Sequence, residues 1–185
     1  MRKMNDKETH VNVLENAKVS SAWVTDDAVV SGNAIVDHQA EVSGSAKVSG
    51  SAKVGDYAKV TDEAEVTGDA VVRDYAKVGG KAKVKANAKV YDHAWVYGNA
   101  YVGGNAVVYG NAKISGGRVQ GDARVRDYAV VFDKAKVKGN AIVGGAARIG
   151  GTAVILGGTW DGSEGEILEG TWDAPGVPHK ETEAS

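Results

Sequence analysis

Acid–base or metal chemistry in this chain would start from its four histidines, His10, His38, His93 and His179, because there is no cysteine to serve as nucleophile or thiolate ligand. A general base needs a proton partner within about 3 Å, and a zinc site needs three or four converging ligands. His10 and His179 stand near the ends of the chain, whereas His38 and His93 stand in its repetitive middle. A second candidate is a set of acids kept at a fixed interval. Asp56-Tyr57, Asp74-Tyr75 and Asp92-His93 recur every eighteen residues, and Asp127-Tyr128 follows thirty-five residues after Asp92. If the fold piles these pairs on one another, the carboxylates repel unless something relieves them. Either a cation sits between them, or N–H groups of each aspartate's own corner hold it. The rings beside them would stack.

The elements able to pile residues eighteen apart are set by a faster rhythm. From Ala22 to Ala112 alanine fills every sixth position, sixteen times in succession. Two residues after each alanine comes an aliphatic, Val24 through Val108 and then Ile114. A helix wants apolar residues about every 3.6 positions, which a six-residue rhythm does not supply. Within Ala-x-Val-x the apolar residues alternate with period two, so both point to one side of a short strand. The Gly, Asp, Asn and Ser that follow tolerate the backbone angles of a tight corner. Three strand-and-corner units per turn bring residues eighteen apart into vertical register, which explains the slower interval. A second corner keeps its own identity in the same way: Gly32-Asn33, Gly50-Ser51, Gly68-Asp69, Ala86-Asn87 and Gly104-Asn105.

The predicted fold is therefore all-β, a parallel β-helix of triangular section with three hexapeptide rungs per turn. Five-residue units at Asn16–Ser20 and Gly117–Gly121 break the rhythm, and the second accounts for thirty-five residues in place of thirty-six. The aliphatic slot from Val13 to Ile155 marks twenty-five rungs, about eight turns. At ~4.8 Å per turn the column is roughly 40 Å tall. The expected organisation is an N-terminal segment or cap at 1–10, the β-helix at 11–157, a C-terminal cap at 158–174 and a loose tail at 175–185. Trp160, Ile167, Leu168 and Trp172, within a twice-occurring Gly-Thr-Trp-Asp, are the material for the cap.

Composition bounds the function classes. The chain of 185 residues is one domain's worth; with one phenylalanine and apolar content carried by alanine and valine, it has no bulky globular core. A net charge of −2 argues neither for nor against a polyanionic partner, and with outward Lys and Arg balanced by acids at the corners, nucleic-acid binding is a minor reading. No signal peptide and no apolar span is read in the sequence, and the expected location is cytoplasmic or virion-associated, with no membrane contact.

The run of units in which an aliphatic residue is followed four later by a small one, as in Val24…Ala28 and Val30…Ala34, resembles the hexapeptide-repeat, left-handed parallel β-helix superfamily. The resemblance covers about residues 11–157 and implies the left hand of the coil, which general crossover chirality would not. The superfamily's best-known members are trimeric acyltransferases with active sites between columns. In style, the uninterrupted repeats look more like uncharacterised bacterial and bacteriophage repeat proteins. Members that transfer acetyl groups from acetyl-coenzyme A typically use a His base and a long loop leaving the coil; between Ala22 and Ile114 no residue is inserted. His38 and His93 share a corner but lie three turns apart, roughly 14 Å, too far for a dyad or one metal. No catalytic residue, metal or cofactor is therefore assigned.

Outward positions give the remaining candidates. The coil from Tyr91 to Tyr109 carries Tyr91, Trp95, Tyr97, Tyr101, Val107 and Tyr109, where neighbouring turns mostly carry Lys, Ser, Thr or Gly. So many large groups in one exposed ring point to an interface or ligand surface. The corner ladder, Asp56, Tyr57, Asp74, Tyr75, Asp92, His93, Asp127 and Tyr128, is the second. Lys47, Lys83, Lys85, Arg118, Lys136 and Lys138 share one face by register, for solubility and strand protection. Thr25, Thr61 and Thr67 are too few for an ice-binding face. These features favour a non-enzymatic scaffold or interaction module, bacterial or phage-associated and homo-oligomeric, with a trimer the expected state. The alternatives are a hexapeptide-type acyltransferase and, third, a carbohydrate-binding column.

Overall fold

The computed structural model describes residues 12–175 and 177–178. Residues 1–10, His179 and most of the expected tail lie outside that range. The described chain is a left-handed parallel β-helix of triangular section with about nine turns. Its 29 strands, most of two residues, fall into sheets of eleven, nine and nine strands, each sheet taking every third strand in order. We call these faces A, B and C. Face A begins at Asn12–Val13, face B at Lys18–Ser20 and face C at Trp23–Val24.

The register is the one the eighteen-residue interval demands: Val48 pairs with Val66, Val66 with Val84, and Val84 with Val102. Across the five-residue unit the pairing continues without a slip of face, Tyr101 to Arg118 and Val102 to Val119. The deleted residue is thus taken out of a corner and not out of a strand, where it would have turned the side chains inside out. Alanine and aliphatic slots from Ala28 to Ile155 are buried, most of them completely, and no polar or charged side chain is buried among the described residues. Each buried valine contributes about 1.5–3 kcal/mol before chain entropy is set against it.

Parallel pairing does not stop at residue 157. Thr159–Trp160 adds to face B, Glu166–Ile167 to face C and Thr171–Ala174 to face A, so the coil reaches nine turns where the repeat count gave eight. Trp160 takes the aliphatic slot above Val143 and is buried; Trp172 takes the slot above Ile155. The two copies of Gly-Thr-Trp-Asp close alike, each indole N–H donating to the carbonyl three residues earlier, Gly157 at 2.8 Å and Glu169 at 2.9 Å. The indole rings meet edge to face at 6.1 Å. Val177–Pro178 then turns back antiparallel on the last strand of face A.

Corners are where composition and conformation meet. The first residue of each corner pair is left-handed, with φ of 65–76° at Gly32, Gly44, Gly50, Gly68, Gly98, Gly104 and Gly110. Glycines stack on glycines here: a Cβ at Gly32 would come within 2.9 Å of the Gly50 carbonyl oxygen. Where the slot holds aspartate, at Asp56, Asp62, Asp74, Asp92 and Asp127, φ closes to 55–61°, and the left-handed conformation is the one Asp and Asn tolerate best among residues with a Cβ.

Candidate functional site

The aspartate–aromatic ladder forms on the corner between faces B and C. Tyr57 and Tyr75 stack with ring centroids 5.0 Å apart and planes within 3°; Tyr75 and His93 repeat the geometry at 5.0 Å and 10°. Tyr128 continues the corner, but Asn111 intervenes: the N–H of Asn111 donates to the Asp127 carbonyl just before it, and Tyr128 stands 70% exposed and unstacked. The stack covers both faces of Tyr75 and the inner faces of Tyr57 and His93, leaving mainly ring edges toward the groove.

The carboxylates are relieved in a way neither expected reading named. Each Asp reaches up the column to the next turn. Asp56 Oδ2 accepts from the N–H of Asp74 at 3.3 Å, Asp74 from Asp92 at 3.1 Å, Asp92 from Gly110 at 2.9 Å and Asp127 from Gly145 at 2.9 Å. The corner between faces C and A does the same at Asp26, Asp62 and Asp133. The partner lies eighteen residues on, not in the same corner, so the left-handed residue's N–H, which no strand carbonyl takes, is satisfied. One oxygen of each of the ladder's acids is thus bound to backbone.

Both described histidines are tied to neighbours. His93 closes the ring stack. His38 Nδ1 lies 2.9 Å from Asp37 Oδ1, and that hydrogen bond, with the carboxylate's charge, raises the imidazole above its ordinary range. Among the described residues no three His, Cys, Asp or Glu side chains gather as a metal site.

The large residues of the Tyr91–Tyr109 coil do not make an evenly exposed ring. Tyr91, Val107 and Tyr109 lie on face B and Tyr101 on face A, all half-buried; burial holds the Tyr91 phenol above its usual range. Tyr101 lies flat across Gly103, two residues on, with the Arg118 guanidinium 5.8 Å from its ring centre. Only Trp95, on face C, is exposed, at 42%, with Tyr97 tilted against it at 4.4 Å. Exposed aromatic surface is thus concentrated on face C and its edge, where Trp95 and the Tyr57–Tyr75–His93 stack border one groove of about 520 Å³ with Lys59, Lys77 and Lys113.

Face A carries the expected cations in a vertical row. Lys47, Glu65, Lys83, Tyr101, Arg118 and Lys136 are successive partners. Glu65 binds Lys83 at 3.1 Å and Lys85 at 3.0 Å, and these contacts, Lys85's first, hold its carboxyl below the usual range. A larger recess, about 1120 Å³, opens on the corner between faces C and A beside the five-residue unit, lined among others by Asn99, Ser115, Gly116, Arg118, Lys134 and Lys136. Arg118 and Lys136 were legible as face residues; their grouping with Asn99 and Lys134 was not. The signal for it is the residue missing at Gly116-Gly117. Scans of this chain against protein-family models and against curated proteins find no match.

Proposed function

We propose that the protein is a non-enzymatic scaffold or interaction module of the hexapeptide-repeat β-helix type, bacterial or phage-associated, that associates with copies of itself through face C. The observation carrying this reading is Trp95: a large apolar side chain 42% exposed, backed by Tyr97 and flanked by the ring stack. Clustered aromatic surface on an otherwise charged column marks a contact. A trimer of parallel columns, the superfamily's arrangement by resemblance, would cover such a face.

We rank the acyltransferase alternative second: His93 is held in a stack, and His38, which has an orienting carboxylate in Asp37, lies three turns from it. Carbohydrate stacking is weakened too, because the Tyr57 and Tyr75 faces are turned on each other.

Sedimentation velocity across a concentration series tests the reading. The native protein should sediment as an oligomer, and Trp95→Lys as a folded monomer, because outward positions do not feed the Ala/Val interior. A native protein that stays monomeric at high concentration ends the self-association claim.

A further inference from the structure

At Gly116 the regular coil has a corner one residue short. In the column of corners between faces C and A, the second residue donates its N–H to the carbonyl one turn up: Ser45 to Asp62, Glu63 to Gly80, Lys81 to Gly98, Lys134 to Gly151 and Thr152 to Leu168. Among the described residues Asp27 and Asn99 lack this bond, and only at Asn99 is the partner corner short of a residue. Its carbonyl should come from Gly116, but that corner has lost its second residue, and Gly116 is instead bridged antiparallel to Phe132. Asn99 N–H has no acceptor. The N–H before it, on left-handed Gly98, has none either, since Gly80 stands below where other turns place an aspartate. Two successive free N–H groups at a left-handed turn form a concavity suited to an anion.

Charge points the same way. Elsewhere many of the cations are matched: Lys59 with Glu41, Lys81 with Glu63, Lys83 and Lys85 with Glu65, Arg148 with Glu166. Around the recess Arg118, Lys134 and Lys136 meet no carboxylate of the described residues within ion-pair distance. The same is true of Lys53, Lys77 and Lys113 elsewhere on the column, but here three such cations share one recess. Arg118 is instead held over Tyr101. One acid, Asp133, is in the wall, and its Oδ2 accepts from Gly151 N–H at 3.4 Å. The flanking corners of Asn99 and Lys134 are two turns apart, about 9.6 Å by strand spacing, with the glycines between them for a floor.

We propose that this recess binds a tetrahedral oxyanion, the phosphate or sulfate group of a small ligand. The Asn99 and Gly98 N–H groups, the Ser115 hydroxyl and the three cations are donors, and the volume leaves room for a ligand body beyond the anionic head, toward Thr152 three turns from Asn99. The site lies at the edge of face C, where Ser115 pairs with Tyr97, and does not rest on self-association.

Amide-resolved NMR titration of the full chain with sodium phosphate, and separately with sodium sulfate, at constant ionic strength tests it. Saturable shifts are expected at Gly98 and Asn99. The double variant Lys134→Gln/Lys136→Gln should weaken binding about tenfold or more. One asparagine inserted between Gly116 and Gly117 should fill the gap and abolish binding; if that chain fails to fold, the lysine variant decides. Phosphate saturating alone identifies a phosphate site, and sulfate alone a sulfate site. No saturable shift with either ion overturns the proposal. So does titration unchanged in the lysine variant, or shifts spread equally over Lys59, Lys77 and Lys113, which would mark diffuse attraction to lysine.

Discussion

Two corners of the same triangular column have opposite characters. Between faces B and C, Asp56, Asp74 and Asp92 each hand a carboxylate to the next turn's N–H, and Tyr57, Tyr75 and His93 cover one another's faces. Between faces C and A, around Gly116, one missing residue leaves the Asn99 N–H without its carbonyl, the Gly98 N–H has no aspartate below it, and three cations face open space. Regular repetition satisfies the strand groups, and the corner N–H groups that stand above an aspartate, by giving each a copy of itself above and below. In a solenoid, capacity for binding accumulates where repetition fails.

The most severe way to break the satisfied corner is Asp74→Val. It removes the acceptor for Asp92 N–H and forces a β-branched residue to φ near 59°. Loss of the bond and the strained conformation together should cost about 2–4 kcal/mol. Denaturant unfolding checks this, with Asp74→Gly as the sharpening control: it keeps the φ and loses only the carboxylate, so about 1 kcal/mol is expected. Equal losses in the two variants would mean that left-handed strain plays no part.

The unsatisfied corner should respond with the opposite sign. Inserting asparagine between Gly116 and Gly117 rebuilds a six-residue unit and gives Asn99 N–H a carbonyl again. A gain of about 0.5–1.5 kcal/mol in unfolding free energy is expected. A loss would mean that the antiparallel bridge of Gly116 to Phe132 is worth more than the regular corner it replaced.

Much of this comparison was legible before any coordinates. The six-residue alternation of Ala and Val fixes strand and core, because period two is a local property of a chain. The eighteen-residue spacing of Asp56, Asp74 and Asp92 fixes the number of rungs per turn, and with it the stacking of Tyr57 on Tyr75. What was not legible depends on side-chain rotamers and on small displacements. Tyr101 was read as exposed but lies across Gly103, a matter of where a ring falls on a neighbour without a Cβ. Trp160 was read as a plug beyond the coil, yet it continues the strand pairing, since an indole can fill a valine slot when no turn above must be accommodated. The aspartates were expected to serve their own corners; the left-handed conformation aims them at the next.

Tyr75→Ala probes how much the ring stack itself contributes. Tyr75 lies between Tyr57 and His93, both at 5.0 Å, on a corner where it is half exposed. Two partly hydrated aromatic contacts suggest a loss of about 1 kcal/mol, with no change in oligomeric state if Trp95 is the anchor. A variant that dissociates as readily as Trp95→Lys would move the contact from the face to the corner.

The smallest expected effect is a pH dependence on face A. Glu65 bridges Lys83 and Lys85, and its carboxyl titrates below the usual carboxylate range because those ammonium groups hydrogen-bond the ionised form. A group whose folded pKa is depressed stabilises the fold above its unfolded pKa and loses that contribution as pH falls through the folded value. The pair is partly exposed and screened, so the contribution is about 0.5–1 kcal/mol, present at neutral pH and gone in acid. Comparing native protein and Glu65→Gln by thermal unfolding isolates it. The two melting temperatures should differ at neutral pH and converge below the carboxylate range, and raising salt should narrow the neutral-pH gap. Convergence at high pH in place of low pH would reverse the sign and exclude the ionised carboxylate as the stabilising form. The lysines around Gly116 supply the contrast: with no carboxylate of the described residues within ion-pair distance, Lys134→Gln should leave the acid limb of the stability curve where it is in the native chain.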